Sequence, residues 1–245
     1  MSNFPTFVDL PNSEIFKITT NKRQRLGAIG LTKDGRFFRY GLCGGTTIST
    51  ARLTQSEVVQ SGQDELAIPT ARSIGDRTVT VTVNLTDNDC ADGYLNVEDD
   101  TGEGHLYNVE SHTDDGTTAT VVLEEGHGLV VAWTTSTTVG LWQNPMKDLV
   151  VCPTTLTGPI TGVTPRSMTT PQYGWVQRGG LASVLIDGTV TIGLSVMNSN
   201  GTAGAVEAWG LTEATPNTEI MPVVGMVHEV AATTEEGTIM LRLPL

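Results

Sequence analysis

Apolar and polar residues alternate strictly along Thr189–Val196. Val190, Ile192, Leu194 and Val196 fall on one side; Thr189, Thr191, Gly193 and Ser195 fall on the other. A period of two predicts a strand with one buried face. The apolar run Leu181–Ile186 comes just before, and Asp187-Gly188 lies between the two. Asp-Gly readily takes the positive φ of a two-residue turn, so the pattern predicts a hairpin. This stretch, Tyr173 to Trp209, holds two of the four tryptophans, and the rest of the chain reads as β structure assembled around it.

The same period recurs along the chain. Residues 26–42 predict a hairpin turning at Asp34-Gly35, with Phe37 and Arg39 on one face and Phe38 and Tyr40 on the other. Thr78–Leu85 alternates strictly, with Val79, Val81, Val83 and Leu85 on one side. Strands follow at 93–98, 105–111, 117–123 and 138–142, with an apolar run at 129–133, separated by acidic turns. Such a meander of short strands predicts a small sandwich or barrel. Toward the end, 205–209, 222–230 and 238–243 predict the closing strands, with Ile239, Leu241 and Leu243 on one face. Thr47–Val59 is the one helix candidate. Glu65–Ile68 reads as a short extended piece stopped by Pro69.

These patterns predict an all-β protein. A sandwich- or barrel-like core is formed by 26–75 plus 153–245, and a small acidic β lobe, 76–152, is inserted between them. Residues 153–172, rich in Pro, Thr and Gly, predict an extended connection. Residues 1–25 predict an irregular, extended N-terminal arm, because Pro5 and Pro11 interrupt any helix. Phe4, Phe7, Ile15 and Phe16 are its apolar anchors.

Charge sharpens the division. Residues 1–40 hold seven Lys and Arg against three acids, whereas residues 76–150 hold fourteen acids against two basic residues. The acidic block predicts a solvent-facing surface that repels nucleic acid. The basic N-terminal segment, which includes Lys22, Arg23 and Arg25, predicts docking on an acidic partner. No run of about 18 apolar residues is present, so no membrane partner is expected. The first residues show no basic-then-apolar leader pattern, which predicts synthesis in a cytoplasm.

Candidate chemistry is sparse. Cys43, Cys90 and Cys152 lie far apart and predict buried thiols. His105, His112, His127 and His228 are isolated and make no metal-binding pair. The adjacent carboxylates Asp99-Asp100, Asp114-Asp115 and Glu124-Glu125 predict solvated turns. Asp87, Asp89 and Asp92 are the nearest approach to a calcium loop, but Glu98, twelfth from Asp87, fits its last position only in a register that puts Asp92 where the loop needs glycine. No catalytic residue, cofactor or metal site is predicted.

Several segments, taken together and in order, resemble tailed-bacteriophage capsid decoration (cement) proteins. They are LGAIGLTKDGRFFRYG (26–41), GYLNVEDDTGEGHLYNVESH (93–112), YGWVQRGGLASVLIDGTVTIGLSV with NSNGTAGAVEAW (173–209), and PVVGMVHEVAATTEEGTIMLRL near the end. The resemblance implies a non-enzymatic virion protein, made in the host cytoplasm, on the outer surface of an icosahedral head. Its implied partners are the major capsid protein and copies of itself in a homotrimer. Phe4, Phe7, Phe16, Lys22, Arg23 and Arg25 are the expected shell or subunit contacts. Two other readings are a tail- or fibre-associated module binding a receptor glycan, and a carbohydrate-active enzyme.

Overall fold

The protein is described from a computed structural model covering residues 7–126, 128–210 and 222–244. It is nearly all β, with strands closing into barrel-like sheets. The chain divides into two units. One is residues 59–144; the other joins 2–58 to 145–245.

Residues 7–58 supply β1 (Phe7–Asp9), a single helical turn α1 (Asn12–Ile15), β2 (Ile29–Leu31), β3 (Phe37–Leu42) and β4 (Leu53–Gln55). Residues 59–144 supply β5 (Leu66–Ala67), β6 (Thr78–Val81), β7 (Tyr94–Asp99), β8 (Leu106–Asp114), β9 (Ala119–Leu123) and β10 (Thr138–Trp142). The remainder supplies β11 (Val150–Val151), β12 (Ile160–Val163), β13 (Tyr173–Leu185), β14 (Ser195–Asn198), β15 (Val206–Ala208), β16 (Gly225–Glu229) and β17 (Glu236–Arg242).

In the 59–144 unit the strand order is β5-β10-β7-β8-β9-β6. The Thr82 amide donates to the Ala67 carbonyl at 2.9 Å, which brings the end of β6 back to β5 and nearly closes the barrel. Alternation explains what fills it. Val79, Val81, Leu95, Val97, Val121 and Leu123 all point into one core, capped by Trp133 and Leu129. Removing this apolar surface from water is the main force holding the unit together.

In the other unit the order is β1-β2-β3-β13-β17-β16-β14-β15, with β4, β11 and β12 paired alongside. β13 is the spine. It pairs with β3 over Tyr173–Gly179 and with β17 over Gly179–Leu185. A register shift at Gln177/Gly179 divides these two stretches, and Gly180 bends the strand with φ +81°, a value that costs a glycine little. A parallel bridge between Ile186 and Val206 returns β15 to the end of β13, so β13-β17-β16-β14-β15 also closes on itself. Val184, Ile186, Val196, Val206, Val227 and Ile239 fill this second barrel.

Several expectations are corrected. Residues 189–194 are not a strand and Asp187-Gly188 is not a hairpin turn, because Val206 already occupies the partner edge at Ile186. Ile192 and Leu194 are therefore 63% and 61% exposed. Thr47–Val59 holds no helix; Leu53–Gln55 is a fully buried strand whose backbone pairs with β11 and β12. Residues 153–172 are not a connection. They contain β12 and the buried Val163 and Met168, and the Thr164 hydroxyl donates to the Ser49 carbonyl at 2.8 Å. The inserted unit begins at Val59 and ends at Asn144 rather than spanning 76–152. Leu66 and Ile68 lie in its core, whereas Leu149 and Cys152 lie in cores of the other unit.

All three thiols are buried. Burial pushes the Cys152 thiol up to about 12 and raises that of Cys43 as well. Only the thiolate reacts, so the native protein should resist a thiol-specific dye at about pH 8 until denaturant is added. Rapid labelling of either residue in the native state would contradict this packing.

Asn198 is an anomaly in the second barrel. It shares the inward face of β14 with Val196 and sits opposite Val206, yet neither its amide nitrogen nor its oxygen finds a hydrogen-bond partner. An unsatisfied buried polar group costs about 1–3 kcal/mol. Asn198→Leu, nearly the same shape, should therefore raise the urea midpoint, by about 1 kcal/mol of stability. A lower midpoint would show that an ordered water satisfies this amide.

Candidate functional site

The contact residues expected from the sequence lie in and around the first forty residues, where a small sheet carries the N-terminal segment. Phe7, Val8 and Asp9 pair in parallel with Ile29, Gly30 and Leu31, and the Leu10 amide donates to the Leu31 carbonyl at 2.9 Å. Pro11 then starts α1, which directs Ile15 inward. Leu10 and Ile15 pack with Ala28, Phe38, Tyr40 and Trp175 in one buried cluster. Gly30 permits this approach, since a Cβ there would sit 2.9 Å from both the Leu10 and Trp175 side chains. The segment is thus tied to its own unit through Leu10 and Ile15.

A cleft of ≈ 410 Å³ opens beside this cluster. Its wall includes Glu14, Lys17, Arg23, Gln24, Tyr40 and Trp175. Tyr40 sits edge-on to Trp175 at 5.2 Å between ring centroids and stacks on Tyr173 at 5.9 Å. The Tyr40 hydroxyl accepts the Arg23 amide at 3.1 Å, which fixes the strand-to-segment path at the rim. Lys17 pairs with Glu14 at 2.9 Å. The Gln24 side-chain oxygen is buried in this region without a hydrogen-bond partner. A second cleft of ≈ 490 Å³ lies against Asp9–Asn12, Lys33 and Asp34.

Of the expected contact residues among those described, Arg23 lines the cleft, and Phe7, Phe16, Lys22 and Arg25 do not. Arg23 is exposed on the cleft rim, Lys22 is exposed beside it in sequence, and Arg25 is half-buried. Phe7 is 68% and Phe16 is 51% exposed, and the Phe16 carbonyl accepts from Arg166 at 2.9 Å. Phe4 lies outside the described residues. Leu10, Gln24, Tyr40 and Trp175 escaped the sequence reading, although the Phe38/Tyr40 alternation already marked one face of β3 as a packing surface.

The other sequence candidates are not drawn together. Asp87 accepts the Asp114 amide at 2.7 Å, and Asp89 accepts the Gln143 side-chain amide at 2.7 Å. Asp115 accepts the Thr117 and Thr118 amides and hydroxyls, and these bonds hold its carboxyl well below the usual range. Asp100 is lowered in the same way, chiefly by the Thr134 hydroxyl at 2.6 Å. These carboxylates shape turns. His112 accepts the Cys90 amide at 2.9 Å, His105 faces the Tyr107 hydroxyl, and His228 faces Thr238; His127 lies outside the described residues. Among the described residues no three His, Cys, Asp or Glu side chains converge as metal ligands.

Electrostatics divides along the unit boundary. Residues 59–144 hold fifteen acids and two basic residues, a net −13, which is the net charge of the whole chain. Residues 2–58 and 145–245 hold twelve of each and are neutral. Comparison of the chain with protein-family models, curated proteins and solved structures found no match.

Proposed function

We propose that this is a non-enzymatic virion protein that decorates and cements the outer surface of an icosahedral phage head. The ordered resemblance of four segments to decoration proteins motivates the reading. The partition of charge carries it: one unit holds the entire net charge of −13, and the neutral unit holds a basic N-terminal face. A neutral unit can approach a shell closely, while a strongly acidic unit turned to solvent keeps a crowded particle soluble. The N-terminal face, with Phe7, Phe16, Lys22, Arg23 and Arg25, is the contact with the major capsid protein or with a neighbouring copy in a homotrimer. Cementing is then mass action, since a protein that binds only the intact shell lowers its free energy relative to the ruptured one.

Binding to undecorated heads tests this. Lys22→Glu with Arg23→Glu should weaken binding about tenfold or more, and added salt should weaken the wild type. Binding indifferent to both would sink the proposal. The cleft beside Tyr40 and Trp175 favours a second reading, a tail- or fibre-associated glycan-binding module; retention of a defined glycan on an array, without head binding, would select it.

A further inference from the structure

Ser199 sits where the second barrel closes. β13 ends at Leu185, and the bridge between Ile186 and Val206 joins it to β15. The Asp187 amide extends that seam by donating to the Val206 carbonyl at 2.9 Å. On the other side, the turn into β15 starts at Ser199, whose amide donates to the Ala205 carbonyl at 3.0 Å. Ser199 is 1% exposed, and its hydroxyl ties the two sides together. It donates to the Asp187 carboxylate and accepts the Gly201 and Thr202 amides at 3.0 and 2.8 Å. The approach is close, since a Cβ on Gly201 would lie 2.9 Å from the same Asp187 oxygen.

β15 brings a second carboxylate to this hydroxyl. Glu207 hydrogen-bonds the Ser199 side chain and accepts the Asn200 amide. The hydroxyl cannot satisfy both acids. Serine has one hydroxyl hydrogen and two lone pairs. Gly201 and Thr202 take the lone pairs, so the single hydrogen goes to Asp187 or to Glu207. With both carboxylates ionised, one of them meets the hydroxyl acceptor to acceptor, and two negative charges lie side by side. One added proton removes both conflicts, because a protonated carboxyl is a donor. Burial raises the Glu207 carboxyl and the charge of Asp187 adds to the rise, together outweighing the Asn200 amide and the Ser199 hydroxyl.

No cation answers the pair. Among the described residues neither Asp187 nor Glu207 forms an ion pair. Arg52 packs on Gly204 at the end of the turn, but its guanidinium pairs with Glu236 at 3.3 Å. Met197, opposite Glu207 on β14, is apolar. Glu235, whose carbonyl accepts the Ile186 amide at 2.9 Å, adds another acid to the seam. We propose that Asp187, Ser199 and Glu207 form a proton-operated clasp: a proton taken up on Glu207 tightens the seam that closes the second barrel, and its loss loosens that seam. The clasp does not depend on the shell reading. The closed seam holds this proton more tightly than the unfolded chain does. Its stabilisation is therefore complete below the ordinary glutamate range and is lost as the pH rises through the raised value.

Hydrogen exchange on the full chain at about pH 5 and about pH 8, each corrected for the intrinsic exchange rate, tests this. The amides of Asp187, Gly201 and Thr202 should be at least about threefold better protected at the lower pH. Those of Val227 and Ile239, in the body of the same barrel, should change less. Glu207→Gln keeps the shape and cannot ionise, so it should give the better protection at both pH values. Ser199→Ala removes the tie and should leave the three amides poorly protected at both. The Glu207 carboxyl carbon, followed by NMR, should titrate above the ordinary glutamate range. Equal protection of the wild type at the two pH values overturns the proposal. So does a difference that survives Glu207→Gln.

Discussion

Alanine at Gly93 should unfold the 59–144 unit and spare the other. A Cβ at this position would lie 2.1 Å from the Trp142 carbonyl oxygen and 2.8 Å from that of Cys90. Both are backbone atoms, so no side chain can swing away. Nor can the backbone itself shift. The Gly93 amide donates to the Cys90 carbonyl at 3.0 Å, and its own carbonyl accepts the Val109 amide at 2.9 Å. Trp142 is paired with Tyr94 at the end of β10. Moving any one of these strands breaks the ladder around the barrel, so we expect a cost of at least about 3 kcal/mol, among the larger effects of a single substitution. In a unit of this size that lowers the melting temperature by roughly 12–24 °C. Calorimetry should show one transition falling while the other stays in place. Equal movement of both transitions would mean that the two units melt as one.

The second large effect is expected at Phe38. Its side chain is fully buried against Leu10, Ile15, Ala28, Tyr40 and Trp175. Phe38→Ala should cost about 3–5 kcal/mol through lost burial and the void it leaves. The loss should be local first. Leu10 and Ile15 tie the N-terminal segment down through this cluster, whereas the barrel of β13–β17 has a separate core. Amides of residues 7–16 should therefore exchange faster with solvent while those of β16 and β17 remain protected. Phe38→Leu should restore most of the protection. If the N-terminal face is the shell contact, head binding should fall in step with exchange. Unchanged exchange in residues 7–16 would show that the segment is held by something other than this cluster.

The strands most legible in the sequence are those with one buried face and a partner on both sides. The run 117–123 is such a case: Ala119–Leu123 lies between β6 and β8, and Val121 and Leu123 both line the core. Thr189–Val196 alternates as regularly and misleads, because periodicity reports which residues can form a strand and not whether a partner edge is free. The boundary at Val59 was hidden for a related reason. β5 has two residues, too few to show a period, yet it closes the barrel through Ala67. The 153–172 segment looked like a linker by composition, but its threonine hydroxyls, Thr161 bonded to the Thr54 hydroxyl and Thr164 to the Ser49 carbonyl, let it lie buried. The basic N-terminal face was legible as charge. Its cleft was not, because Glu14, Tyr40 and Trp175 meet only through pairing of β1 with β2, β2 with β3, and β3 with the distant β13.

The insertion of one unit within the other sets an order of events during synthesis. Residues 59–144 are continuous and contain every strand of their own barrel, so that barrel can close as soon as Trp142 has emerged. The first 58 residues cannot follow the same course. β3 waits for β13, β4 waits for β11 and β12, and β13 in turn waits for β17 at the far end. Leu53 emerges early and remains without its partners on β11 and β12 until late, and Phe38 remains without Trp175. During that interval the finished neighbour holds fifteen carboxylates against two basic residues. Mutual repulsion between such nascent chains keeps their unburied apolar residues apart on a crowded polysome. The acidic unit then acts on its own chain, as a tethered solubiliser, before the rest of the molecule has folded.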